Sequence, residues 1–184
     1  MGQEIRQDMA VSLPVILELL RQLELDWCSA LESRAWRGIA TLGAFICIAF
    51  CGSFRGAEVF LVDCAGLWSY LRALVDPNLP SHIIIPLLRR FKNEIGSRYH
   101  LTPLSAITSS GINVKLWVSR LVDLRDSDNH LHGPAFCDSP GKLLSSRELE
   151  LDILDRIQLV QEQHPALIPA TLIVHDAYGI SRSF

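Results

Sequence analysis

Arg55 and Glu58 stand three residues apart in the phrase Gly-Ser-Phe-Arg-Gly-Ala-Glu-Val at 52–59. They directly follow residues 38–54, which contain no Asp, Glu, Lys or Arg. A guanidinium delivered at the end of a stretch built for burial is costly unless it is paired or binds an anion. On a helix Glu58 would share a face with Arg55 at i+3, where it could orient the guanidinium. The ordinary reading of the same residues is a structural Arg–Glu pair at a helix start.

A second concentration of charge lies at residues 86–100, where Arg89, Arg90, Lys92 and Arg98 face a single acid, Glu94. Asp126, Asp128, His130 and His132 alternate further on, but match neither a calcium loop nor a zinc motif, so we expect a solvated loop and no metal. Cys28, Cys47, Cys51, Cys64 and Cys137 form no CxxC pair, which argues against zinc ribbons and a disulfide framework and fits a reducing compartment. Cys47 and Cys51, one helical turn apart in apolar sequence, read as buried small hydrophobes.

Several elements must position these residues. Ser12 and Pro14 suit a helix start, with Ile16, Leu17, Leu20, Leu23 and Trp27 at helical spacing after it. Residues 35–51 read as a more apolar helix, broken at Gly52 and Ser53 so that Arg55 sits at a junction. Residues 59–62 continue a helix from Arg55 or begin a strand, and we expect helix. Residues 81–88 and 98–104 read as an antiparallel hairpin, with Lys92 in its turn. Pro86 and Pro103 lack donors for a central ladder and belong at an edge or the hairpin base.

Residues 108–111 introduce a helix through Val114, Trp117, Val118 and Leu121, followed by a polar loop at 123–133. Ser145 and Glu148 form a capping-box pattern, with Leu149, Ile153, Ile157 and Val160 on one face and a stop at His164 and Pro165. The acids of residues 145–164 read as a solvated face, and the four tryptophans as packing residues. Pro169 leaves residues 167–174 without an assignment.

The 184 residues, 49% hydrophobic and 20% charged, allow one sizeable core and a single unit. A formal net charge of −3 excludes a strong global basic field, so any polyanion site must be local. The uncharged run is short of the roughly 20 apolar residues that span a bilayer and reads as a buried helix. No targeting segment is evident at the N-terminus, and no membrane partner is expected.

The phrases at 52–59, 85–94 (Ile-Pro-Leu-Leu-Arg-Arg-Phe-Lys-Asn-Glu), 99–104 (Tyr-His-Leu-Thr-Pro-Leu), 133–138 (Gly-Pro-Ala-Phe-Cys-Asp) and 178–184 (Tyr-Gly-Ile-Ser-Arg-Ser-Phe) occur in that order. Together they resemble the catalytic domain of eukaryotic mobile-element tyrosine recombinases of the Crypton and DIRS type, from about residue 38 onward. The resemblance implies an α+β domain, mostly helical with a small antiparallel sheet around 81–104. It also implies DNA breaking and rejoining through a covalent phosphotyrosyl link, in the nucleus, with no metal or other cofactor.

Position by position, Arg55 matches the first catalytic arginine, which clamps the scissile phosphate, within the family's Arg-x-x-Glu pattern completed by Glu58. Lys92 matches a hairpin lysine that protonates the leaving oxygen. Arg89, Arg90, Arg98 and His100 are implied backbone contacts, which bind DNA without reading its sequence. Arg182 falls where many members carry His; a guanidinium binds phosphate but does not shuttle protons.

The second catalytic arginine and the nucleophilic Tyr of the family match nothing up to Phe184, since Tyr70, Tyr99 and Tyr178 lie elsewhere. The expectation is therefore one incomplete, C-terminally truncated catalytic domain over residues 1–184. Its parts are N-terminal helices at 12–51, the Arg55 junction, the hairpin at 81–104 and a helical remainder at 112–184. It would bind DNA weakly, fail to cleave it alone, and be open to self-association through surface left uncovered. The competing expectation is a noncatalytic interaction or DNA-binding derivative of the same scaffold.

Overall fold

A computed structural model describes residues 11–73, 81–89, 98–139 and 142–168. In chain order the elements are α1 (Leu13–Ser29), α2 (Ser33–Gly52), α3 (Gly56–Val59), α4 (Cys64–Ala73), β1 (His82–Arg89), β2 (Arg98–Ser105), α5 (Val114–Ser127), β3 (Cys137–Ser139), β4 (Lys142–Leu143) and α6 (Ser146–Gln163). The architecture is α+β, mostly helical with small antiparallel sheets.

The apolar run forms the central helix. Residues 39–49 of α2 are all buried, so α2 touches protein on every side. By length and composition α2 could cross a membrane; here the packing of α1, α5 and α6 around it accounts for its apolarity. Each fully buried Ile or Leu contributes about 1.5–3 kcal/mol. On α1, Val15, Ile16, Leu19, Leu20 and Leu23 turn to α2, whereas Leu17 lies on the exposed face, one step off the expected stripe.

α5 lies closest to α2. It begins later than the sequence suggests: Asn113 is the N-cap, its side chain accepting from the Leu116 N–H at 3.0 Å. Thr108 and Gly111 instead make the turn before it, with Gly111 at φ +90°, a conformation natural to glycine. α5 also runs further, through Ser127, so the expected polar loop is shortened. Asp126 and Asp128 are not merely solvated: Asp126 accepts from Trp68 Nε1 (3.2 Å) and Arg72 (2.9 Å), and Asp128 pairs with Arg37 at 2.6 Å.

The hairpin forms as the β-branched pattern predicts, with Ile83 opposite Leu104, Leu87 opposite His100 and Arg89 opposite Arg98. Residues 59–62 divide between the two readings: α3 ends at Val59, and Val62 bridges Leu87 on the other side of β1. Asp63 N–H donates to the Pro86 carbonyl and Leu88 N–H to the Leu61 carbonyl. β1 pairs with β2 in a two-stranded sheet, so Pro86 sits on an edge strand as expected, with one isolated bridge from Val62 on its other side. The missing Pro86 donor faces the 61–63 segment and keeps that pairing to one bridge, after which the chain turns into α4. By the same alternation the Pro103 nitrogen faces the open side of β2, which deprives that edge of a donor.

α6 carries the expected capping box, with Ser145 Oγ accepting from Glu148 N–H and Glu148 accepting from Ser145 N–H, both at 3.1 Å. Leu149, Ile153, Ile157 and Val160 are buried against α1 and α2, and the helix ends at Gln163 with His164 as its C-cap. One hydrophobic cluster extends from α1 to Ile168.

Candidate nucleic-acid interface

The Arg55 junction is built from its two neighbours in the core. α2 ends with Ser53 in the left-handed region (φ 52°), and Phe54 folds back so that its N–H donates to the Ala49 carbonyl at 3.1 Å. Phe54 and Val59 are both buried, which holds the chain between them down at each end. Arg55 lies in extended conformation (φ −68°, ψ 147°) and is exposed. Exposure removes the desolvation cost that the sequence pattern suggested.

Glu58 acts differently from expectation. Its Oε2 accepts the Arg55 backbone N–H at 3.0 Å, and the Glu58 N–H donates back to the Arg55 carbonyl at 2.8 Å. Since a guanidinium has no acceptor, only the carboxylate half of a capping box exists here. Glu58 thus fixes the backbone that carries Arg55. Among the described residues the Arg55 guanidinium itself has no hydrogen-bond or ion-pair partner.

The junction connects to the hairpin through one row of paired residues, Val62, Leu87 and His100. Val62 and Leu87 are fully buried, whereas His100 is exposed. One pair separates this row from Arg89 opposite Arg98, the last pair of the ladder. Lys92 and Arg90 lie outside the described residues, as does Arg182. The row thus ties the hairpin to Val62, three residues after the end of α3, the short helix that Arg55 caps.

Most helix arginines serve within the protein. Arg120 makes a bidentate pair with Glu24 (2.5 and 2.8 Å), its guanidinium carbon 4.4 Å from the Trp27 ring centre and 4.7 Å from that of Trp117. Arg72 lies over Trp68 at 4.5 Å, and Arg156 pairs with Asp26 at 2.7 Å. Trp27 and Trp68 are thus stacking surfaces for cations as well as packing residues. Glu18 joins Arg21, Gln22 and His164; the hydrogen bond from Arg21 holds its carboxyl below the usual range.

Arg125, 4% exposed, is the most buried arginine described. It donates to the carbonyls of Ala135 and Cys137 and so ties α5 to the start of β3. Sequence reading passed over it, although its place four residues after buried Leu121 marked it as facing inward. Beside it, Thr41, Leu121, Asp128 and Cys137 help line a cavity of about 10 Å³, room for roughly one water.

No ligand cluster of His, Cys, Asp or Glu fit for a metal occurs among the described residues. The five cysteines are free thiols. What the junction offers is one exposed guanidinium on a backbone held by Phe54, Glu58 and Val59. Comparisons with protein-family models, curated proteins and solved structures return no match.

Proposed function

We propose that this chain carries the DNA-phosphate-binding part of a recombinase-like catalytic domain from a mobile element, acting in the nucleus. Arg55 engages the scissile phosphate, Lys92 reaches the leaving oxygen, and Arg89, Arg90, Arg98 and His100 contact the backbone; Arg182 adds a further phosphate contact. The observation that carries this reading is the Arg55 guanidinium: exposed, without a partner among the described residues, and mounted on a backbone locked by Phe54, Glu58 and Val59. The order of the recombinase-like phrases supports it further.

The 184 residues supply no Tyr in a matching position, so we expect binding without a covalent phosphotyrosyl adduct. The test is fluorescence anisotropy with duplex DNA across a salt series. Binding should weaken as salt rises, and Arg55→Ala should reduce the slope of log K against log salt by about 0.9. Salt-insensitive or absent binding would overturn the reading. A covalent adduct on a suicide substrate would overturn the inactive assignment.

A second reading, a noncatalytic interaction module on the same scaffold, is favoured by exposed leucines on the sheet and on α6. DNA binding that survives loss of Arg55 and Lys92 would support it over the first.

A further inference from the structure

The outer face of the sheet is only half covered. α4 packs over Pro86 so closely that a Cβ on Gly66 would lie 2.7 Å from the proline ring. Beyond α4 the same face presents Leu61, Leu88 and Leu101, each between 41% and 45% exposed. Leu61 and Leu88 are joined by a backbone hydrogen bond of 2.8 Å, and Leu101 lies diagonally across from Leu88 on the next strand. These three leucines thus span β2, β1 and the 61–63 segment bridged to it, about 10 Å at normal strand spacing. An apolar sheet face is normally closed by a second layer.

α6 presents a matching surface. Its inner side is committed to α1 and α2, while Leu151 and Leu159 project outward, 50% and 45% exposed. Eight residues of helix separate them by about 12 Å, which fits the width of the leucine patch. Asp152 and Asp155 share that outer face, and both are exposed. Partial desolvation, and then the neighbouring carboxylates Asp155 and Glu148, raise the Asp152 carboxyl against the pull of Arg156. The hairpin end beside the leucine patch is basic, with Arg89 opposite Arg98 and His100 exposed next to them.

The two surfaces match in apolarity and charge, and the inner face of α6 is held on α1 and α2. We infer that the outer face of α6 docks on the Leu61, Leu88 and Leu101 patch of a second copy of this chain, head to tail. Such contact is heterologous: each pair keeps one free donor and one free acceptor face, and short chains of molecules grow with concentration. With a single helix as the contact the association is weak and transient, in the micromolar range. It does not depend on the DNA reading.

The test is sedimentation velocity on the full chain at low ionic strength, from micromolar to hundreds of micromolar. Wild type should shift to larger species as concentration rises and return towards monomer in high salt. Leu88→Gln with Leu101→Gln should be monomeric, and so should Leu151→Gln with Leu159→Gln. Mixed one to one, the two variants should form a dimer and nothing larger, since each supplies the face the other lacks. Asp155→Lys, an exposed charge reversal that spares the core, should weaken wild-type assembly if a double variant does not fold. A wild type that stays monomeric throughout, a mixture that does not pair, or a closed dimer retained by both variants would overturn the proposal.

Discussion

Gly43 lies against the indole of Trp117, so closely that a Cβ on the glycine would stand 2.2 Å from Cε3 of the ring. The contact sets the separation of α2 and α5, the two helices at the centre of the core. Gly43→Ala should destabilise the protein by about 1–3 kcal/mol through overpacking, despite alanine's better helix propensity. Gly38, in the same helix, meets nothing within 4 Å. Gly38→Ala should therefore stabilise by up to about 1 kcal/mol. Urea melts of the two variants should move in opposite directions; a shift in the same direction would refute the packing argument.

Glu18 and Glu24 give the protein a defined acid sensitivity. The hydrogen bond from Arg21 lowers the Glu18 carboxyl and that from Arg120 lowers Glu24, both from an ordinary value of 4.5. A depressed folded pKa adds stability that is present above the unfolded value and lost as pH falls through the folded value. Stability should thus decline from about pH 4.5 downward. Glu18→Gln with Glu24→Gln should be less stable than wild type at pH 7 and show a shallower fall below 4.5 in thermal melts.

The junction allows the roles of Arg55 and Glu58 to be separated. Glu58→Ala removes the acceptor for the Arg55 N–H and should cost about 0.5–2 kcal/mol of local stability, by analogy with a lost cap. DNA affinity should fall while the salt slope stays unchanged, because the guanidinium charge remains. Arg55→Ala should lower both affinity and slope. Equal slopes for the two variants would mean that Arg55 makes no phosphate contact.

How far the sequence could be read is clearest in particular residues. The hairpin was legible because β1 carries a run of β-branched residues, Ile83, Ile84 and Ile85, and α6 because Ser145 and Glu148 form a capping box whose geometry is local. The end of α5 was not, since Asp126 and Asp128 resemble loop residues until their distant partners Arg72 and Arg37 are known. Pro86 marked its strand as an edge, but the single bridge from Val62 beside it depends on a segment distant in sequence. In the candidate site Arg55 could be picked out by its setting. The task of Glu58 could not, because i+3 spacing serves a side-chain ion pair and a backbone cap equally.

The cysteines should divide sharply by reactivity. Burial raises the Cys47 thiol well above its ordinary value and moves Cys51 and Cys64 to about 11. Cys137 is raised too, first by partial burial, against the opposing effect of Arg125. Only Cys28 is exposed. Because the thiolate is the reactive form, a high pKa and low access act in the same direction. Titration of the native protein with Ellman's reagent near pH 8 should show one fast thiol, with the other four reacting only as the protein opens. Cys28→Ser should abolish the fast phase. If several thiols react at once in folded protein, the packing of α2 against α5 and of Cys64 beneath the 133–137 segment is looser than described.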